Sequence, residues 1–493
     1  MTKIDFSNCL ISRIFVWVFL IGAVVLTFNG CISGPPGIQG VPAVSPSAAV
    51  PWSPPTTGPQ IPVQTTPTIS IEQASKNHIK LTLADVMDIA LNNNPATKAA
   101  WADARAAAAR YGSSRGTWFP SVNLSGNFFN AKDASSQGQS VTEAIAAASL
   151  SYLLFDFGGR SAAVEESRQT LLAADWTQNA VIRNTVLQVE VAFFSHVGAI
   201  TLLEAHRTSL EEAAANLTAA EERHRLGLAT KADVLQARTA YAEIKLAVQS
   251  AEGQVRTTKG ALAVAAGYPA NTPFDIDTEI PGIPEGALTQ TVDQLIQQAI
   301  SSRPDLQASR AQSREAEARV KETRSRILPA LSAAGTVGQV WLKGVPGTDN
   351  IYSASLFLHV PVFNGFSHQF DLMQAKAAAE AARERTRSVE QAVTFQVFSA
   401  HSDFLTACER VKTSNELVTS AQQSEEVALG RYKEGVGNIL DLLSAQRVLA
   451  MARAEQINAR LSWFITLAQL AHDVGVLGLH GDNPLTPADI LRR

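Results

Sequence analysis

Cysteine is nearly absent, with three in 493 residues: Cys9, Cys31 and Cys408. The first two sit at the extreme N-terminus, so the body has no partner for a disulfide and must hold together by packing. Cys408 lies between Phe404 and Val411 on a helical stripe, where a buried core thiol is expected. Charge is sparse as well. Charged residues make up 17% and the net charge is −4, which leaves no basic footprint for nucleic acid. The nine histidines are scattered, and no HExxH spacing, phosphate loop or nucleophile elbow occurs. Nothing therefore points to an enzyme, a cofactor or a resident metal. Carboxylate pairs such as Glu165-Glu166 and Glu211-Glu212 fall in long helical patterns and read as solvated surface. Proline is missing from about Arg160 to Leu226 and again from about Phe366 to Glu434, and glycine is rare there.

The N-terminus reads as an export signal over residues 1–30. Lys3 and Arg13 supply positive charge before an apolar run from Ile14 to Phe28, about fifteen residues and too short for a comfortable span. Phe28-Asn29-Gly30-Cys31 resembles a bacterial lipoprotein signal, in which Cys31 becomes the lipidated first residue, although Phe28 stands where Leu is usual. The alternative is an ordinary signal peptide. Ile32 follows the cysteine in place of the Asp of an inner-membrane retention signal, which favours the outer membrane. Residues 31–75 are rich in Pro, Thr, Ser and Val and are expected to form an extended tether without a core.

What is abundantly present is repetition. Pro95 and Pro304 ("LNNNPATKAA", "ISSRPDLQAS") and Pro120 and Pro329 ("TWFPSVNLSG", "RILPALSAAG") are both offset by 209 residues (304 − 95 and 329 − 120). Phe155-Asp156 matches Phe363-Asn364, and Arg223, Gly227, Asp233 and Leu235 match Arg431, Gly435, Asp441 and Leu443, at an offset of 208 (431 − 223). A register held over most of the chain is a duplicated architecture.

Each half carries the same elements. "LTLADVMDIALNNNP" and "TVDQLIQQAISSRP" have helical spacing and stop before a proline. A second helix follows, from Pro95 to about Trp118 in the first half. Then the period changes to two. Val122, Leu124 and Phe128 alternate with Ser121, Asn123, Ser125 and Asn127, while Tyr352, Ala354, Leu356 and Leu358 alternate with Ser353, Ser355, Phe357 and His359. Two strands of about ten residues per half, apolar on one face and polar on the other, fit transmembrane strands with a wet inner side. The alternative is a sheet packed on a helix. Two helical stretches of nearly seventy residues follow, on the order of 100 Å each, longer than a compact domain needs. Each ends at a glycine break before a returning helix. Four membrane strands cannot close a barrel, so several copies must pool them.

The chain from about Leu81 to Val474 resembles the TolC-like outer-membrane efflux proteins, particularly lipidated members that serve multidrug pumps. The paired "NNNP"/"SSRP", "WFP"/"ILP" and "LFDFGGR"/"VFNGF" segments carry the resemblance, with the two R-x-x-x-G turns before "ADVLQAR" and "LDLLSAQR". It implies a mainly α, duplicated fold: a homotrimer with a twelve-stranded outer-membrane β-barrel continuous with a periplasmic α-helical barrel. Residues 76–286 and 287–474 are the repeats, and 475–493 a tail. It also implies a periplasmic adaptor and a proton-driven inner-membrane pump as partners, with outer-membrane lipid around the barrel. The expected role is a passive exit duct for small molecules. A protein-secretion duct and a soluble periplasmic scaffold are the alternatives.

The same resemblance places Asp441 at the narrow periplasmic aperture, where three copies form an acidic ring that attracts blocking multivalent cations. Asp233 is its repeat counterpart. Both could instead be first-turn acids that complement a helix dipole. Tyr432 could reach across the tip or simply pack. Gly437 and Ser444 stand where TolC itself has an aperture Arg and a second acid. Adaptor docking maps to the Gly227-Leu228 and Gly435-Val436 turns. Trp118, Tyr152, Trp341 and Tyr352, near strand ends, are candidates for an interfacial aromatic girdle.

Overall fold

The computed structural model describes residues 44–54, 71–77, 79–132, 140–279, 282–283, 290–343 and 349–477. The export signal, Cys31 and the tail beyond Leu477 lie outside the described residues. The body opens with α1 (Ile71–Lys76) and β1 (Lys80–Leu81). The first repeat then runs α2 (Leu83–Asn93), α3 (Pro95–Gly116), β2 (Ser121–Lys132), β3 (Ser140–Phe155), α4 (Gly159–Arg225) and α5 (Lys231–Ala265). After β4 (Asp275–Ile276) the second runs α6 (Val292–Ser302), α7 (Pro304–Ser325), β5 (Ala330–Leu342), β6 (Asp349–His359), α8 (Ser367–Lys433) and α9 (Ile439–Val474). The repeats agree closely enough that α4 and α8 are both 67 residues long. The strands are 12, 16, 13 and 11 residues, somewhat longer than their alternation predicts.

Local chemistry sets the helix starts. Thr82 and Asp85 form a capping box at α2, as Thr291 and Gln294 do at α6 and Thr230 and Asp233 at α5. Pro95 and Pro304 occupy the first turn of α3 and α7, where no amide proton is missed. The residue before each proline is pushed into extended backbone, so α2 and α6 stop there.

Those elbows explain the "NNNP" and "SSRP" pair. Asn94 Nδ2 donates to Ala265 O (3.1 Å) and Asn93 Nδ2 to Gly267 O (3.1 Å), holding the end of α5. In the second repeat Ser302 Oγ donates to Val474 O (2.8 Å) and Arg303 Nη1 to Asp473 O (3.3 Å), holding the end of α9. Each returning helix thus has its orphan carbonyls met by the elbow of its own repeat. Gly267, at φ 83°, runs so close to Asn93 and Asn94 that a Cβ would stand 2.9 Å from their backbone.

The main core lies where the two repeats meet. Val189, Phe193, Phe194 and Val197 of α4 pack with Trp463, Phe464 and Leu467 of α9 and with Val393, Val397 and Phe404 of α8. Phe194 and Phe464 stack at 4.8 Å. Part of α4 is long and apolar enough to cross a membrane, but half of that stretch is buried inside the chain and serves this core. Cys408 sits half-buried against the same core.

Two features depart from the sequence reading. Residues 44–54 do not behave as a bare tether: they dock on the body, with Trp52 only 4% exposed. Their composition cannot build a core of its own, but Gln178 and Asn179 satisfy their backbone and the helices receive the indole. The boundary set at residue 75 also falls inside α1, whose Ile71 is fully buried in the core. The parallel pairing of β1 with β4 ties the entry of the first repeat to the stretch between the repeats and has no signal in two-residue strands.

Replacing Asn94 by Ala removes both the α3 cap and the donor to Ala265 O. The expected cost is about 1–2 kcal/mol, seen as a lower unfolding midpoint of the protein in detergent. An unchanged midpoint would show that the elbow is not a holding point.

Candidate functional site

The four long strands form one antiparallel sheet in the order β2-β3-β5-β6. Their register assigns every residue to a face. Val122 pairs with Leu150, which pairs with Gly335. In the next row Leu124, Ala148, Val337 and Tyr352 stand side by side. Phe128, Trp341, Leu356 and Leu358 share this face. It is apolar, and it is bare: Phe128 is 75% and Tyr352 86% exposed. Two amides on it, Gln339 and Asn350, are hydrogen-bonded to each other at 3.4 Å.

The opposite face carries a hydroxyl and amide band. One row is Ser121, Ser151, Ala334 and Ser355, and the next is Asn123, Ser149, Thr336 and Ser353. Ser121 and Ser151 are hydrogen-bonded through their hydroxyls at 2.7 Å. Toward the loop end this face changes character, because Ile145, Val340, Leu342 and Phe129 lie on it beside Glu143 and Asp349. One side of the sheet suits hydrocarbon and the other suits water. The outer edges of its two end strands, β2 and β6, have no strand partner among the described residues.

Both hairpins pass into the long helices by one kind of turn. Phe157 (φ 51°) and Gly158 (φ 89°) precede α4, and Gly365 (φ 67°) and Phe366 (φ 64°) precede α8. Each turn phenylalanine meets a strand-end phenylalanine edge-on: Phe155 with Phe157 at 4.7 Å, Phe363 with Phe366 at 5.3 Å. The four aromatic candidates divide between the two ends of the sheet. Trp118 and Tyr152 are at the helix end, with the Arg160 guanidinium 4.5 Å and 5.7 Å from their rings. Trp341 and Tyr352 lie in the loop half, on the apolar face.

The far ends of the long helices form the second part of the site. Gly227 (φ 78°) and Gly435 (φ 75°) close matching turns, with Leu228 N donating to Arg223 O (2.8 Å) and Val436 N to Arg431 O (3.0 Å). Leu228 and Val436 project as exposed apolar side chains beyond them. The two acids are not equivalent. Asp233 accepts from Thr230 N (2.7 Å) and Thr230 Oγ1 (2.9 Å), so it is committed to the capping box. At α9 the cap is Asn438, which accepts from Leu440 N (3.2 Å), and the exposed Asp441 takes no part in it. Ser444 is exposed nearby. Gly437 is confined, since a Cβ there would stand 3.0 Å from Arg431 and Tyr432.

The tips are also tied to each other. Arg223 Nη1 donates to Tyr432 O (2.9 Å), and its guanidinium lies 4.6 Å from the Tyr432 ring. Farther along, Asn216 Nδ2 donates to Gln446 Oε1 (2.7 Å), Gln446 to Glu425 (3.2 Å), and Arg453 meets Glu212 at 3.2 Å. None of these, apart from Tyr432, is a candidate by sequence. Arg223 is visible there only as the counterpart of Arg431; no periodicity shows that it reaches the other hairpin. Among the described residues, no group of three or more His, Cys, Asp or Glu side chains is placed to hold a metal ion.

A family model described as outer membrane efflux protein matches residues 86–268 and 295–476, one span in each repeat. The chain belongs to the outer membrane efflux protein family. This efflux protein is 28% identical to protein CyaE of Bordetella pertussis over 82% of its own length and 86% of that chain. It is 24% identical to the toluene efflux pump outer membrane protein TtgC of Pseudomonas putida, over 80% and 82%. Its fold matches the CmeC outer membrane channel of Campylobacter jejuni with a TM-score of 0.74 at 18% identity, covering 88% of this chain and 95% of that one. The outer membrane protein VceC of Vibrio cholerae matches with a TM-score of 0.69 over 80% and 96%. The efflux protein therefore resides in the outer membrane, where a bare apolar sheet face suits hydrocarbon.

The face assignment has a direct test. Leu124→Arg puts a charge in lipid at an expected cost of about 2–4 kcal/mol, whereas Asn123→Arg, one residue away, points into water. Membrane-assembled, heat-modifiable protein should be lost in the first variant and kept in the second. Equal assembly of both would overturn the assignment.

Proposed function

We propose that this efflux protein works as a homotrimer, the exit duct of a tripartite system. It receives small molecules from a proton-driven inner-membrane pump through a periplasmic adaptor and conducts them passively outward. The observation that carries this reading is the sheet: four strands, one bare apolar face, one hydroxyl-lined face and two open outer edges. Barrels need at least about eight strands, so one chain cannot close. Three chains supply twelve and leave no edge, with the polar faces inward. Relatives named for pyoverdine export and for toluene and antibiotic efflux support small molecules as the cargo. Lipid on Cys31 adds a second hold on the membrane.

In this reading the exposed tips at Gly227-Leu228 and Gly435-Val436 receive the adaptor. Asp441 and Ser444, with Tyr432, line the aperture, while Asp233 keeps the shape of the first tip. Closure depends on the ties between hairpins, led by Arg223 on Tyr432. A charged hydrogen bond is worth about 1.5–3 kcal/mol, enough to shift a closed–open balance about tenfold or more.

Single-channel recording in planar bilayers tests the reading. The protein should form a cation-preferring pore of low conductance. Arg223→Ala should raise the open fraction about tenfold, and Asp441→Asn should weaken block by a trivalent cation. No pore at all would end the duct reading; unchanged gating and block would remove Arg223 and Asp441 from the aperture.

A further inference from the structure

Segment 44–54 lies across α3 and α4. Asn179 holds Trp52 from both sides: the Trp52 amide donates to Asn179 Oδ1 (2.7 Å), and Asn179 Nδ2 donates to Trp52 O (2.7 Å). Gln178 Nε2 is 3.4 Å from the carbonyls of Ser47 and Val50. Trp101 Nε1 donates to Ser45 O (2.9 Å). The Trp52 ring meets Trp176 edge-on at 5.2 Å. One turn before Gln178 and Asn179, on the same face of α4, is Asp175. It is 0% exposed, and neither of its carboxylate oxygens has a hydrogen-bond partner. Gln178 Oε1 is unpartnered too. A strap held by so many bonds is thus anchored on the helix face that carries, one turn earlier, a buried carboxyl group without a hydrogen-bond partner.

We propose that segment 44–54 is a releasable strap, latched on α3 and α4 only while the Asp175 carboxyl carries its proton. A neutral carboxylic acid can stay buried, but an ionised one without a partner cannot. Ionisation must admit water, and the strap is the cover that can lift, because it is a single irregular segment while α3 and α4 are continuous helices. No charge nearby offers an alternative. The strap has no titratable side chain. The positions of α3 nearest in register carry Asp103 and Arg105, and Arg105 is stacked 4.8 Å from the Trp101 ring. Those of α7 carry Arg314 and Arg310, and Arg310 faces Glu390 at 3.9 Å. Burial alone pushes the Asp175 carboxyl up to about 8.

The sign follows from that direction. With the strap lifted, Asp175 regains a lower, more ordinary carboxylate value, so ionisation favours the lifted state. Docking is complete at acid pH, weakens as pH climbs above the carboxylate range, and is lost as pH passes about 8. Lifting moves the first described point with a hold on the body from Ser45, bonded by Trp101, to Ile71 of α1.

Hydrogen–deuterium exchange on the full-length protein in detergent, from pH 6 to 9.5 and corrected for intrinsic chemical rates, tests the latch. Exchange in residues 44–54 should rise by up to about tenfold per pH unit up to about pH 8 and level off above it, while α5, the hairpin partner of α4, stays level. Asp175→Asn should flatten the strap's profile and keep it docked at pH 9.5. Glu190 is a half-buried acid farther along α4, pushed up by burial to about 7, and Glu190→Gln should leave the strap's profile steep. A wild-type strap no steeper than α5 overturns the proposal, and that comparison needs no variant to fold. So does a steep profile in Asp175→Asn, or a flat one in Glu190→Gln.

Discussion

A strand edge cannot be left open in hydrocarbon, because each unpaired amide or carbonyl there costs several kcal/mol. The rest of this molecule is arranged around that constraint. The chain makes two hairpins and joins them through β3 and β5, which leaves β2 and β6 as free edges on opposite sides of one sheet. Every unpaired backbone group is thereby gathered onto two lines that a second and third copy can satisfy. Oligomerisation is then a requirement of the sheet, and the apolar face, bare in one chain, has lipid to cover it.

The helices inherit their position from the same sheet. α4 and α8 leave the helix end of β3 and β6 through matching positive-φ turns, so both start level and run the same 67 residues. The elbows at Pro95 and Pro304 then catch the ends of the returning helices. The two repeats solve this with different side chains, amides in one and an Arg–Ser pair in the other, because only the carbonyls to be met are the same. At the tips the repeats stop being equivalent. Asp233 is bound into its own cap, while Asp441 is spared that duty by Asn438. An acid free of a structural task is available for an aperture.

Much of this was legible in the residues. Proline placement, the glycine breaks and the change from period 3.6 to period 2 located the long helices to within a few positions and the strands less closely, since each rests on local backbone chemistry; the threonine caps appear only in the structure. The alternation in "SVNLSGNFF" likewise announced a wet and a dry face. The strap was not legible. Its Pro- and Ser-rich composition says that it cannot fold by itself, which is correct, and says nothing about Asn179, 127 residues beyond Trp52, accepting its backbone. Arg223 was equally silent, because its bond to Tyr432 spans 209 residues.

The sequence by itself determined the elements, their duplication and the two faces of each strand, because these depend on dihedral preference and hydropathy over a few neighbouring residues. Tertiary structure decided which carbonyl each elbow side chain meets, which tip acid is committed to a cap, and that Asp175 is buried without a hydrogen-bond partner. Those are contacts between distant segments. Their energies are set by burial and by the geometry of groups that local pattern cannot bring together.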